Sequence, residues 1–206
     1  MIWGIMSMVI LSAISIIVGY LLGSLNTSLI IGRFYKVDVR QHGSGNAGMT
    51  NTLRTLGKKA ALMVIPGDLL KGVLAYFAGY FIYGGELGGM LGGTACIIGH
   101  IWPAFFGFKG GKGVLTTFAV LLMFDWQIAL GLFAVFILIL LLTKYVSLGS
   151  VTAAFLFPIS AAVFGRETQV LVFSGIIALL VILRHHENIG RLLSGTESKF
   201  SLSRKK

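Results

Sequence analysis

Three short runs of this chain hold residue types that can do chemistry. The first is Gly43-Ser44-Gly45-Asn46-Ala47-Gly48-Met49-Thr50-Asn51-Thr52-Leu53-Arg54, small and hydrogen-bonding residues that lead into a helix-compatible stretch. Glycines let backbone N–H groups crowd around an anion, hydroxyls and amides add donors, and a helix N-terminus adds partial positive charge. That composition fits a phosphate cradle, and it also fits a flexible loop joining two apolar segments. It lacks the Gly-Lys-Ser/Thr ending of a Walker loop and the Gly-x-Gly-x-x-Gly dinucleotide fingerprint.

The second run, Gly107-Phe108-Lys109-Gly110-Gly111-Lys112-Gly113, sets two lysines among four glycines. Such a loop can bring ammonium groups against an anion without steric hindrance, or it can be ordinary loop charge beside a membrane. The third is His185-His186-Glu187-Asn188-Ile189-Gly190-Arg191. On a helix, His185 and Asn188 share a face and Glu187 pairs with Arg191 at i,i+4. No metal site is expected: the chain has one Cys, Cys96, inside an apolar run, and its His residues stand at no familiar ligand spacing. No cofactor is expected either. No Gly-x-Ser-x-Gly elbow occurs, and no His has Asp as its fifth following residue.

The elements that must position these runs are membrane helices. The 206 residues are 56% hydrophobic and only 12% charged, with a mean hydropathy of +0.89. Charged residues make up about a quarter of ordinary globular chains, so soluble enzymes, disordered regulators and fibres are excluded. The apolar stretches are Ile5 to Ile31, Ala60 to Tyr83, Leu87 to Phe106, Val114 to Leu142, Ser147 to Phe164 and Gln169 to Leu183. The fourth would make a helix of roughly 44 Å, too long for a core of about 30 Å, and Asp125 interrupts it. It reads as a tight hairpin turning at Asp125.

Charge placement tests that hairpin. With it, all of the 17 Lys and Arg fall on one side except Arg166 opposite and Lys71 inside a helix. Without it, the basic residues divide almost evenly, which breaks the positive-inside rule. The expected fold is therefore an all-α polytopic membrane protein with seven transmembrane helices, the N-terminus outside and the C-terminus cytoplasmic. It forms a single integral-membrane domain over residues 1–206. The first stretch lacks the basic n-region of a signal peptide and is read as a span. Close helix packing accounts for the 28 glycines. Asp68 and Lys71, three apart within a span, are expected to form a structural ion pair, and His100 and Pro103 are read as helix-end features. Ser147 and Ser150 are either helix caps or ligand donors. All three chemical runs fall on the cytoplasmic side and could share one site.

Gly43 to Arg54, Gly110-Gly111-Lys112-Gly113, and His185-His186-Glu187-Asn188 with Arg191 together resemble the three signature motifs of the bacterial acyl-phosphate:glycerol-3-phosphate acyltransferases. Order and spacing match across nearly the whole chain; Met49 stands where that family usually has Ala. The resemblance implies seven membrane helices in the bacterial cytoplasmic (inner) membrane and a cytoplasm-facing site. It implies transfer of a fatty acyl group from acyl phosphate to the 1-hydroxyl of glycerol 3-phosphate, the first acylation of phospholipid synthesis. Lysophosphatidic acid and inorganic phosphate are the products, with no acyl-CoA, acyl carrier protein or obligatory protein partner. The absent His-x-x-x-x-Asp dyad belongs to the acyl-CoA-dependent class.

By motif position, Ser44, Gly45, Asn46, Gly48, Thr50 and Asn51 would hold the phosphate of the acyl phosphate. Arg54, Lys112, His185 and Asn188 would position glycerol 3-phosphate and serve catalysis, with help from Ser150. His185 or the substrate phosphate would take the hydroxyl proton. Three rivals use some of the same features. An organophosphate or anion transporter would show repeat symmetry and broken helices, which the sequence lacks. A lipid-binding scaffold leaves the Ser-Gly-Asn run unexplained. Another membrane lipid-phosphate transferase is the nearest alternative. Nucleic-acid binding falls away because the basic residues flank membrane segments.

Overall fold

The computed structural model describes residues 2–201, with side chains from Gly4 onward. Ten α-helices are formed by these residues: α1 (Ile2–Ser24), α2 (Thr27–Phe34), α3 (Met49–Leu56), α4 (Lys58–Tyr83), α5 (Glu86–Ile101), α6 (Val114–Phe124), α7 (Trp126–Thr143), α8 (Val146–Val163), α9 (Thr168–Arg184) and α10 (His186–Leu193). Short 3-10 turns at Val39–Gln41 and Ala104–Phe106 complete the regular structure. Five segments are long and apolar enough to cross a membrane: 4–34, α4, 86–106, α7 and α8. α9 and α10, bent by 60° at their junction, add a sixth if they count as one span, while α6 is an apolar helix of only 11 residues. Leucine, isoleucine and phenylalanine side chains stand exposed along α1, α4, α7 and α8, as expected of helices whose solvent is lipid. Arg204, Lys205 and Lys206, part of the basic set expected on the cytoplasmic side, lie outside the described residues.

The chain forms two compact units, one ending at Phe124 and the other beginning at Asp125. The boundary coincides with the break that the sequence places at Asp125. Asp125 caps α7, its Oδ1 accepting from the Ile128 N–H at 3.2 Å.

In the first unit, α5 packs against both α1 and α4. A methyl on Gly19 or Gly23 of α1 would strike the Gly92 or Cys96 carbonyl of α5, and one on Gly79 of α4 would strike the Gly88 carbonyl. Backbones approach this closely only where both faces are small. Cys96 is fully buried in that packing, consistent with a structural role.

The span expected over Ile5 to Ile31 is present within 4–34, built from two helices with a break at Leu25 and Asn26. The Asn26 side chain takes the Leu29 N–H at 3.1 Å, a proton that a continuous helix would give to the Leu25 carbonyl. Lys71 takes over the vacated acceptors, donating to the Gly23 and Leu25 carbonyls at 3.3 and 3.4 Å. The expected ion pair is present, with Lys71 Nζ 2.9 Å from Asp68 Oδ1.

In the second unit, α7 packs on α8 and α8 on α9. At one end of this bundle, Arg166 grips Asp125 with Nε at 2.8 Å and Nη2 at 3.2 Å. At the other end, Glu197 joins α8 to α10, and the Phe200 N–H reaches the Lys144 carbonyl. Arg166 thus stands at the opposite end of this bundle from Lys144 and Arg191.

Candidate active site

The first loop is built around Asn51. This side chain is buried in the first turn of α3. Its amide donates to the Val39 carbonyl at 2.7 Å and the His42 carbonyl at 3.0 Å, and its oxygen accepts from the Ser44 N–H at 2.8 Å. Gly43 and Gly45 take φ of +61° and +70°, a backbone region that costs other L-residues about 1–2 kcal/mol. Asn51 therefore shapes the loop from inside while Ser44 and Gly45 are exposed and Asn46, Gly48 and Thr50 half-buried. Gly48 caps α3 with no side chain, its carbonyl accepting from the Thr52 N–H and hydroxyl. Arg54 lies half-buried in the last turn of the same helix. Met49 packs against the buried cluster of Ile31, Ala60 and Val64.

The second loop is held flat on the end of α5. The Gly110 and Gly111 N–H groups donate to the Ile101 and His100 carbonyls, each at 3.1 Å. Arg40 clasps the loop from the side of the first, with Nη1 reaching the Phe106 carbonyl at 2.7 Å and the Lys109 carbonyl at 3.1 Å. Asp38 fixes Arg40 at 2.8 Å. That hydrogen-bonded guanidinium holds the Asp38 carboxyl below the usual carboxylate range despite partial burial. Lys112 is half-buried and Lys109 exposed. Anchoring by Asp38, Arg40 and Asn51 escaped the sequence reading, which counted Arg40 as loop charge and Asn51 as a ligand. The i,i+2 carboxylate–guanidinium spacing of Asp38 and Arg40 was the available signal.

The third cluster lies in the second unit. His185 ends α9 and starts α10, and is 3% exposed. Its Nδ1 lies 2.7 Å from the Val181 carbonyl. A carbonyl only accepts, so a neutral ring is protonated at Nδ1 and carries its lone pair on Nε2. Asn188, also buried, donates to Glu197 Oε1 at 2.6 Å, and the Ser147 hydroxyl donates to the same oxygen at 2.7 Å. Arg191 Nε donates to Glu197 Oε2 at 2.7 Å, whereas the expected Glu187–Arg191 pair is looser, at 3.7 Å. Burial pushes the Glu197 carboxyl up, but the hydrogen bonds from Arg191, Ser147 and Asn188 together bring it below its ordinary value. The Ser150 hydroxyl is buried and bonded to the Val146 carbonyl of its own helix at 2.9 Å. Glu197 was missed because it follows a Gly-Thr turn nine residues beyond Asn188, a spacing that no helical periodicity relates.

The structure therefore gathers the first and second loops with Arg54 and Lys112 in one unit, and Ser147, His185, Asn188 and Arg191 in the other. Among the described residues no group of three or more His, Cys, Asp and Glu converges as metal ligands would. In the first unit, exposed and half-buried hydroxyls with the cations Arg54 and Lys112 are groups suited to a phosphate-bearing substrate; the second unit contributes an imidazole with a defined tautomer.

The sequence profile of the family described as glycerol-3-phosphate acyltransferase matches residues 13–195. This chain belongs to that family. A glycerol-3-phosphate acyltransferase of Thermoanaerobacter pseudethanolicus is 44% identical over 189 residues, which are 91% of this chain and 95% of the relative. The Bacillus subtilis glycerol-3-phosphate acyltransferase is 41% identical over 190 residues, 92% of this chain and 97% of that one. The crystal structure of PlsY (YgiH), an integral membrane glycerol 3-phosphate acyltransferase, in its glycerol 3-phosphate form matches with a TM-score of 0.87 and 40% identity, covering 92% of this chain and 96% of that one. Its lysophosphatidic acid form matches with a TM-score of 0.84 and 39% identity, covering 93% and 96%. The chain is thus an integral-membrane acyltransferase.

Proposed function

We propose that this glycerol-3-phosphate acyltransferase moves a fatty acyl group from acyl phosphate to the 1-hydroxyl of glycerol 3-phosphate. The products are lysophosphatidic acid and inorganic phosphate, in the first acylation of phospholipid synthesis. The observation that carries the reading is the first loop, whose backbone is bent by Gly43 and Gly45 around an internal Asn51. The Ser44 and Thr50 hydroxyls and the Asn46 amide offer donors to the acyl phosphate, whereas the Gly45 and Gly48 N–H groups, expected from the sequence to serve as donors too, turn inward to the His42 and Asn46 carbonyls and shape the cradle together with Asn51. By motif position Arg54, Lys112, His185 and Asn188 are assigned to glycerol 3-phosphate, with help from Ser150 on α8.

The substrate's hydroxyl oxygen attacks the acyl carbonyl carbon directly. A new C–O bond forms as the acyl carbon–phosphate oxygen bond breaks, and phosphate leaves with that electron pair. His185 Nε2 carries the lone pair of a neutral ring, so it can accept the hydroxyl proton or a hydrogen bond from it. Holding both substrates in near-attack geometry can supply several kcal/mol, about 7–11 at best, and donors facing the developing oxyanion and the leaving phosphate add to this. This chemistry needs no cofactor, metal or partner protein.

The membrane arrangement that fits is seven crossings, with α6 as a short one and α9 as the last. The N-terminus is outside, and the three motifs face the cytoplasm of a bacterial inner membrane. The break between α6 and α7 at Asp125 supports it. The test of direct transfer is a donor comparison with intact-mass analysis. Turnover with palmitoyl phosphate but not palmitoyl-CoA, and no mass gain on the protein, is the expected result. A covalent acyl-enzyme, or a requirement for acyl-CoA, overturns the scheme.

A further inference from the structure

Beneath the two glycine-rich loops lies a buried polar cluster that the mechanism above does not use. Asp68, Lys71 and His100 are 1%, 5% and 3% exposed. Lys71 Nζ lies 2.9 Å from Asp68 Oδ1 and 2.8 Å from His100 Nδ1. With the Gly23 and Leu25 carbonyls, these contacts engage all three of its donors. Asp68 Oδ1 also accepts from the Thr27 hydroxyl at 3.0 Å. An ammonium only donates, so His100 Nδ1 is the acceptor and the ring proton sits on Nε2.

The Nε2 edge faces the second loop. A methyl placed on Gly111 would collide with His100 Nε2 and with the Ala47 carbonyl of the first loop, and one on Gly110 would collide with the His100 carbonyl. The His100 carbonyl accepts from the Gly111 N–H at 3.1 Å. Ala47, fully buried, has its carbonyl bonded to the Asn26 amide at 3.3 Å, and Asn26 is the chain neighbour of Thr27. A closed circuit results, from Asn26 and Thr27 through Asp68, Lys71 and His100 to Gly111, then across to Ala47 and back to Asn26. Removing one member of a buried ion pair leaves an uncompensated charge, so the circuit resists distortion.

We propose that Asp68, Lys71 and His100 are positioning residues for acyl transfer, setting the separation of the Ala47 and Gly111 backbones and hence of the first loop from Lys112. This rests on the reading that the two loops hold the phosphate groups of the substrates. A buried pair deep in a helix bundle can also serve stability alone, and the two roles separate kinetically. A positioning role moves KM in protein that remains folded, whereas a purely structural role moves only the unfolding midpoint.

The test uses the purified full chain in detergent, with palmitoyl phosphate and glycerol 3-phosphate. The variants are His100→Gln, His100→Leu and the double change Asp68→Asn with Lys71→Met, which removes both charges so that neither is stranded. Folding is followed by size-exclusion elution and the unfolding midpoint. The expected result for the folded double variant and His100→Leu is a rise of about tenfold in KM for glycerol 3-phosphate, equivalent to 1.4 kcal/mol, with a smaller change in kcat. His100→Gln, which keeps an acceptor for Lys71, recovers part of that rise. Wild-type KM values in folded variants overturn the proposal, and so does failure of all three to fold, which makes the cluster a determinant of the fold only. Lys112→Ala is run alongside. If it too leaves KM unchanged, the assignment of the loops to substrate has failed; if it raises KM while the cluster variants do not, only the positioning role has failed.

Discussion

Asn188 and Ser147 donate to the same carboxylate oxygen, Glu197 Oε1, at 2.6 and 2.7 Å, while Arg191 occupies the other oxygen at 2.7 Å. Glu197 therefore fixes the third motif to α8. A charge-assisted hydrogen bond contributes about 1.5–3 kcal/mol, so Glu197→Gln, which keeps the shape and removes the charge, is expected to lower kcat/KM by about tenfold or more. It also lowers the unfolding midpoint. Steady-state kinetics and a melting curve on the same preparation check both effects.

The same carboxyl gives a pH dependence. Its folded-state pKa lies below the ordinary value of 4.5, so its contribution to stability is fully present above about that pH and is lost as pH falls through the depressed folded value. The midpoint difference between wild type and Glu197→Gln is expected to be constant from neutral pH down to about 5 and to shrink at lower pH. A difference that grows on acidification contradicts this assignment.

Arg54→Ala and Lys112→Ala each remove a fixed cation from half-buried positions. If each makes a charge-assisted contact of about 2 kcal/mol, KM for glycerol 3-phosphate rises roughly 30-fold in either variant, with little change in the unfolding midpoint. Titration of glycerol 3-phosphate at saturating acyl phosphate measures it. Arg54→Lys is not expected to restore the wild-type value where the contact is bidentate.

Gly43→Ala tests the cradle. The position has φ of +61°, and the new methyl would press on Asn51 Oδ1. Strain of about 1–2 kcal/mol together with loss of the Asn51 bond to the Ser44 N–H is expected to raise KM for acyl phosphate more than KM for glycerol 3-phosphate. Two-substrate kinetics distinguish this from a uniform loss.

Asp125→Ala gives the contrasting case. It removes the α7 cap and the bidentate Arg166 contact, at the end of the second unit remote from Glu197. A lost cap costs about 1 kcal/mol, and the unpaired Arg166, which is partly exposed, adds less. A lower unfolding midpoint with KM values near wild type is expected.

The break at Asp125 was legible in the sequence because a carboxylate in the middle of an overlong apolar run has no place in lipid. The Asp68–Lys71 pair was legible from its i,i+3 spacing within a span. The break at Asn26 was not, because it depends on Lys71, 45 residues later, taking the carbonyls that a straight helix would use. Met49 could be read only as a departure from pattern, and its packing on Ile31 and Val64 shows what the larger side chain fills. Donor-rich residues were easy to find, but whether each faces a ligand or its own loop was not. Asn51 and Ser150 are bonded inward, the one to loop carbonyls and the other to its own helix. The partners Arg40, His100 and Glu197 were hidden because their contacts join segments that no local periodicity relates.

The most direct test of the assigned reaction is to incubate the purified chain with palmitoyl phosphate and glycerol 3-phosphate in the presence of chelator, and to follow phosphate and lysophosphatidic acid together. The account predicts equimolar release of both, dependent on both substrates. Phosphate release that does not need glycerol 3-phosphate, or no release at all while palmitoyl-CoA supports acylation, would contradict it.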